Sequence, residues 1–133
     1  MKKLCWSLVF LVLFSTAYAQ QCWQMVSAGG THTVGIKSDG TLWAWGFNGS
    51  GQLGDGTTIP QSIPIQIGSG ADWKFVSAGG NTTFAIKTNG TLWAWGDNFW
   101  GLIGNGTYAN EFHTPIQIGN ASNWIFVKPR SSF

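Results

Sequence analysis

This chain has little charge. Asp, Glu, Lys and Arg make up 9% of its 133 residues, against about 25% in ordinary soluble domains. The charge that exists nearly cancels. Lys2 and Lys3 carry the whole excess; beyond them Lys37, Lys74, Lys87, Lys128 and Arg130 balance Asp39, Asp55, Asp72, Asp97 and Glu111. No basic patch is left to neutralise phosphates, so no nucleic-acid partner is expected. Cysteine is scarce as well, with Cys5 and Cys22 alone. After the first 19 residues no segment shows apolar residues at helical spacing between caps. Long apolar runs are absent except for Leu4 to Phe14, which falls short of the ~20 residues that cross a bilayer.

That one run reads as an export signal. Lys2 and Lys3 form a positive start, Leu4 to Phe14 the apolar centre, and Ala17-Tyr18-Ala19 a cleavage site before Gln20. Residues 1–19 are thus expected to be a signal peptide. The mature protein is expected to be secreted or extracytoplasmic, at the cell surface or in the periplasm, with no membrane attachment after cleavage. Cleavage removes Cys5, so a mature chain is expected to form no intrachain disulfide.

What the chain has in plenty is glycine, 19 residues, and tryptophan, nine. They recur in order. Gly40 to Thr57, GTLWAWGFNGSGQLGDGT, returns as Gly90 to Thr107, GTLWAWGDNFWGLIGNGT. Such a period marks a repeat array. One unit covers 23–72 and a second 73–123, within a repeat region of 20–127. A third opens at Trp124 with WIFV, after WQMV and WKFV, and departs from the pattern in the tail 128–133.

Within a unit the apolar period is two. Trp43 and Trp45 share one face of a strand, and Leu42 and Ala44 the other. Val34 and Ile36 alternate with Gly35 and Lys37. Met25 to Ala28 and Pro64 to Ile67 complete four short strands. Asp39-Gly40 and Asn89-Gly90 predict two-residue type I′ hairpins. Lys37 and Lys87 are expected to be solvated strand positions. Apolar or small residues on both faces of the Trp strand suit a sheet covered on both sides, as a propeller blade is.

The pattern SAGG-x-H/T-T-x-x-IK-x-D/N-GTLWAWG-x-N, then G-x-L/I-G-D/N-GT and P-IQIG, resembles the repeat of the regulator of chromosome condensation family. The resemblance runs from Trp23 to Val127. It implies an all-β fold, with one repeat per β-propeller blade and usually seven blades. This chain offers two four-stranded blades, a partial propeller, after its signal peptide. It also has Thr82 where the first unit has His32. Two blades leave apolar faces to cover, so the chain is expected to be the N-terminal piece of a longer propeller, or to self-associate through unpaired blade faces.

The residues point to packing and turns more than to chemistry. Gly49 to Gly54 fits G-x-G-x-x-G, but Asp55-Gly56-Thr57 follows instead of a helix, so no dinucleotide site is expected. His32 and His113 lack recurring ligand neighbours. No catalytic, cofactor or metal site is expected, and the chain reads as a non-enzyme. Trp43, Trp45, Trp93 and Trp95 read as core. Phe99 and Trp100 stand out, because they replace Gly49-Ser50 in a loop whose frame does not demand them. They are the candidate contacts for a protein partner. The expected function is a secreted interaction scaffold. The alternative is an inhibitor of an extracellular enzyme. Guanine-nucleotide exchange, which the family name suggests, fits export less well.

Overall fold

The computed structural model describes residues 21–108 and 110–129. The expected signal peptide of 1–19 and the last four residues of the tail lie outside the described residues. Eight strands follow one another: β1 (Trp23–Ala28), β2 (His32–Lys37), β3 (Leu42–Gly46), β4 (Gln61–Gln66), β5 (Trp73–Gly79), β6 (Thr82–Lys87), β7 (Leu92–Gly96) and β8 (Phe112–Gln117). They form two antiparallel four-stranded sheets, β1-β2-β3-β4 and β5-β6-β7-β8. This is the expected pair of blades. The two have matching registers: Gly35 opposes Trp43 in one, and Ala85 opposes Trp93 in the other.

The blades stack face to face. Period two sends Val34, Ile36, Leu42 and Ala44 to one side of the first blade, where Leu53 and Ile67 join them. Against that side lie Trp73, Val76, Ala85 and Trp95 of the second blade, all buried in one cluster. Burying a side chain of this size contributes about 1.5–3 kcal/mol, so the junction supplies much of the fold's stability. Phe84, Ile86, Leu92, Ala94 and Ile103 repeat the aliphatic side on the second blade. Phe75, Ile116, Ile118 and Val127 partly cover them.

Two expectations, on the hairpins and on the lysines, need correction. The hairpins are not two-residue turns. Lys37 N–H donates to Thr41 O (3.0 Å) and Gly40 N–H to Lys37 O (2.9 Å), which leaves a three-residue loop, Ser38 to Gly40. Such loops pair an ordinary turn with one left-handed residue, here Gly40 at φ 81°. Asp39 Oδ1 fixes the loop by accepting from Thr41 N–H (3.0 Å) and Thr41 Oγ1–H (2.6 Å). The Thr41 hydroxyl in turn accepts from Trp43 Nε1–H (2.8 Å). Asn89, Thr91 and Trp93 repeat the chain. The Thr41 bonds hold the Asp39 carboxyl below its ordinary pKa.

The lysines are not simply solvated. Lys37 Nζ lies 3.5 Å from the centroid of Trp43, and Lys87 Nζ 4.7 Å from Trp93. Each covers an indole while its stem lies along the sheet. Lys87 also pairs with Asp72 at 3.2 Å. Cys22 is disulfide-bonded in the uncleaved chain. Trp124 to Val127, where the third unit opens, forms no strand. Trp124 N–H donates to Gly90 O (3.0 Å), as Trp73 N–H does to Gly40 O (3.1 Å), and Phe126 meets Phe75 edge-on at 5.5 Å. The segment takes the seat of a first strand, but among the described residues no next strand follows to complete its ladder.

The glycine loops allow a clean test. Gly40 and Gly68 both have positive φ, 81° and 65°. A Cβ on Gly40 would lie 2.2 Å from Ala71 O, whereas one on Gly68 meets nothing. Gly68→Ala therefore carries backbone strain alone, about 1 kcal/mol, and Gly40→Ala carries strain plus a backbone clash. Denaturant unfolding should show Gly40→Ala to be the more damaging by at least ~1 kcal/mol. Equal losses would refute the hairpin geometry.

Candidate interaction surface

The loop after the third strand of each blade is built around one buried asparagine. Asn48 Nδ2 donates to Thr57 O (3.0 Å) and Ile59 O (3.1 Å), and Asn48 Oδ1 accepts from Leu53 N–H (3.0 Å). Asn98 holds Thr107 O (3.1 Å) and Ile103 N–H (3.1 Å) in the second blade. Both asparagines are fully buried. The pin drives Leu53 or Ile103 into the core and throws the residues between outward. Gly51 and Gly54, both at positive φ, make the turns. The G-x-G-x-x-G segment is thus a pinned loop, and no helix follows it.

On this fixed frame the two loops differ in what they present. Gly49-Ser50 becomes Phe99-Trp100, 58% and 75% exposed. The two rings meet edge-on with centroids 5.0 Å apart. Asp97 Oδ1 accepts Phe99 N–H (2.8 Å) and holds the start of the turn. Leu102 and Tyr108 are also exposed on this loop. Beside Phe99 is a hollow of about 380 Å³ lined by Asp97, Asn110, Glu111 and His113. His113 Nε2 lies 3.4 Å from Glu111 Oε2. The arrangement offers a rigid aromatic pair with a polar border. Such a surface suits protein contact. The sequence reading singled out Phe99 and Trp100, and not Leu102 or Tyr108, which are exposed as well. Leu102 was visible as a change from Gln52, and its exposure was not.

The four repeat tryptophans do not gather at this surface. Trp95 is fully buried between the blades, and Trp93 is half-buried beside it. Trp43 and Trp45 occupy the same positions on the first blade and are half-buried, in ring contact with the exposed Trp23.

His32 belongs to the blade junction. The Thr83 hydroxyl donates to Gln52 O (2.8 Å) and lies 2.8 Å from His32 Nε2. With its proton so used, it accepts from Nε2–H, which puts the single proton of the neutral ring on Nε2. Trp95 Nε1–H donates to the same Gln52 carbonyl (3.0 Å). His32 Nδ1 has no partner among the described residues. Burial lowers the pKa of His32 from 6.5 to about 4. Between those values the unfolded chain binds a proton that the folded chain refuses. Stability from this residue is therefore full above pH 6.5 and falls as the pH drops toward 4. The gap corresponds to about 3 kcal/mol at 1.36 kcal/mol per pH unit. Chemical unfolding at pH 7.5 and 4.5 should show most of that loss, and His32→Gln should remove the larger part of it. A loss of the same size in the variant would contradict the assignment.

The comparisons with known proteins agree with this geometry. Residues 39–86 match the family model of the Regulator of chromosome condensation (RCC1) repeat. Over 42 residues the chain is 43% identical to the Ultraviolet-B receptor UVR8 of Arabidopsis thaliana, a match that covers 32% of this chain and 10% of the receptor. Prp20p from Saccharomyces cerevisiae, studied with its binding to Gsp1p and histones, superposes with a TM-score of 0.70 at 21% identity. That match covers 77% of this chain and 26% of Prp20p. The same yeast protein bound to Kap60 gives 0.70 at 21% identity, covering 83% of this chain and 26% of that one. Human WBSCR16 gives 0.66 at 21% identity, over 73% of this chain and 25% of that one. At such identity these structures show the fold. The chain spans about a quarter of their length.

Proposed function

We propose that this chain, which carries regulator of chromosome condensation repeats on a β-propeller fold, is a protein-interaction scaffold, and that Phe99 and Trp100 make the contact. One observation carries the reading. The frame of the loop is the same in both blades, down to the buried Asn48 and Asn98, while Gly49-Ser50 gives way to two exposed aromatic rings. Packing does not require them, and exposed aromatics of this kind are the usual anchors of protein interfaces. The proteins of similar fold support the class of function: Prp20p was studied for binding to Gsp1p and histones, and was also solved bound to Kap60. The partner here is read as extracytoplasmic, on the strength of the signal-like residues 1–19.

The test exchanges one loop for the other. Phe99→Gly with Trp100→Ser restores the chemistry of the first blade on an unchanged frame. Immobilised wild type and the double variant should melt within a few degrees of each other. Proteins recovered from the extracytoplasmic fraction should include at least one that the variant loses by tenfold or more. Recovery of the same proteins in the same amounts by a folded variant would refute the contact.

A further inference from the structure

We propose that a second copy of this chain docks head to tail onto the first, with the tryptophan face of its first blade on the aliphatic face of the other copy's second blade. The contact between the two blades within one chain is the template. There, Val34, Ile36, Leu42, Ala44, Leu53 and Ile67 receive Trp73, Val76, Ala85 and Trp95. The repeat carries both halves of this contact to the two ends of the chain. The receiving half recurs on the second blade as Phe84, Ile86, Leu92, Ala94, Ile103 and Ile118. The entering half recurs on the first blade as Trp23, Val26, Gly35 and Trp45.

Matched positions show what the entering half is missing. Trp73 is 6% exposed, and Trp23, its counterpart, 39%. Val76 is 2% exposed, and Val26 53%. Trp95 packs on Gly54, where a Cβ would come within 2.6 Å of its indole nitrogen, while a Cβ on Gly104, the counterpart, would meet nothing. In trans, Trp45 thus has a glycine seat at Gly104. It also has an acceptor at Leu102 O, the counterpart of the Gln52 carbonyl that takes the Trp95 indole proton. Ser27 Oγ accepts from Ala78 N–H (3.0 Å) within the chain, and Ser77 stands ready to do the same for Ala28 of the second copy.

The receiving face already shows what it selects. Trp124-Ile125-Phe126-Val127 lies on it through the Trp124 to Gly90 bond and the Phe126 to Phe75 contact. Trp23-Gln24-Met25-Val26 has the same Trp and Val. Phe84, Ile86, Leu92, Ala94 and Ile103 are already buried within the chain, so docking requires that this strand, with a complete sheet and Trp45 behind it, displace the shorter segment. A contact of this kind is heterologous, because it joins different faces of the two copies.

Two substitutions at exposed positions separate the faces. Val26→Asp alters the entering face. Leu102→Asp alters the receiving face, because its counterpart Gln52 is fully buried at the junction within the chain. Both residues are at least half exposed, so at a dilution where the wild type is monomeric both variants should keep its melting profile. In sedimentation velocity at micromolar concentration the wild type should run as whole multiples of the chain mass. Each variant should run as a monomer, and their equimolar mixture as a dimer and no larger. A monomeric wild type would overturn the proposal, and so would variants that assemble like the wild type or a mixture that stays monomeric.

Discussion

The fold depends on one sheet covering another. A blade of this sequence has apolar residues on both faces, so it is stable only with a neighbour. Trp95 is where that need is met most completely. Its indole is buried, lies on Gly54 and donates to the Gln52 carbonyl. The same carbonyl takes the Thr83 hydroxyl, whose oxygen accepts from His32 Nε2–H, while burial keeps that ring neutral. Apolar burial supplies the energy, and this small polar network sets the register in which the blades meet. The recurrence of tryptophan and glycine at fixed offsets follows from that contact: the large ring needs a position without a side chain to lie on.

The strands and their grouping were legible in the residues. Period-two alternation in Leu42 to Gly46 and Leu92 to Gly96 placed the central strands, and the spacing of the repeats placed the blades. The position of each hairpin was legible too, from Asp39-Gly40 and Asn89-Gly90. Its length was not. A glycine at positive φ serves both a two-residue and a three-residue loop, and the choice falls to the chain from Asp39 through Thr41 to Trp43, which exists only once the strands are paired. The lysines show the same limit. Lys37 sits opposite Trp23 in the ladder, so its place over the rings is a product of register, which the local sequence does not state.

The exposed loop was half legible. Phe99 and Trp100 were visible as departures from a repeat, and both are exposed. The exchange of Gln52 for Leu102 looked like the same kind of change and is different. Gln52 is buried because the second blade covers it, whereas Leu102 is exposed. Two residues at one repeat position thus have opposite environments, and what separates them is the presence of a following blade. The repeat gives the frame, the pinned loops give room for variation, and the neighbour decides which variation reaches solvent.

The most direct measurement compares Gly54→Ala with Gly104→Ala. Their backbones are alike, at φ 81° and 78°, so the strain of a new Cβ is the same in both. The contact with Trp95 exists at Gly54 alone. Thermal unfolding of the dilute, monomeric chain should show Gly54→Ala melting lower than Gly104→Ala by about 5 °C or more, the effect of roughly 1 kcal/mol in a domain of this size. Equal melting temperatures would contradict the claim that the seating of Trp95 on Gly54 holds the two blades together.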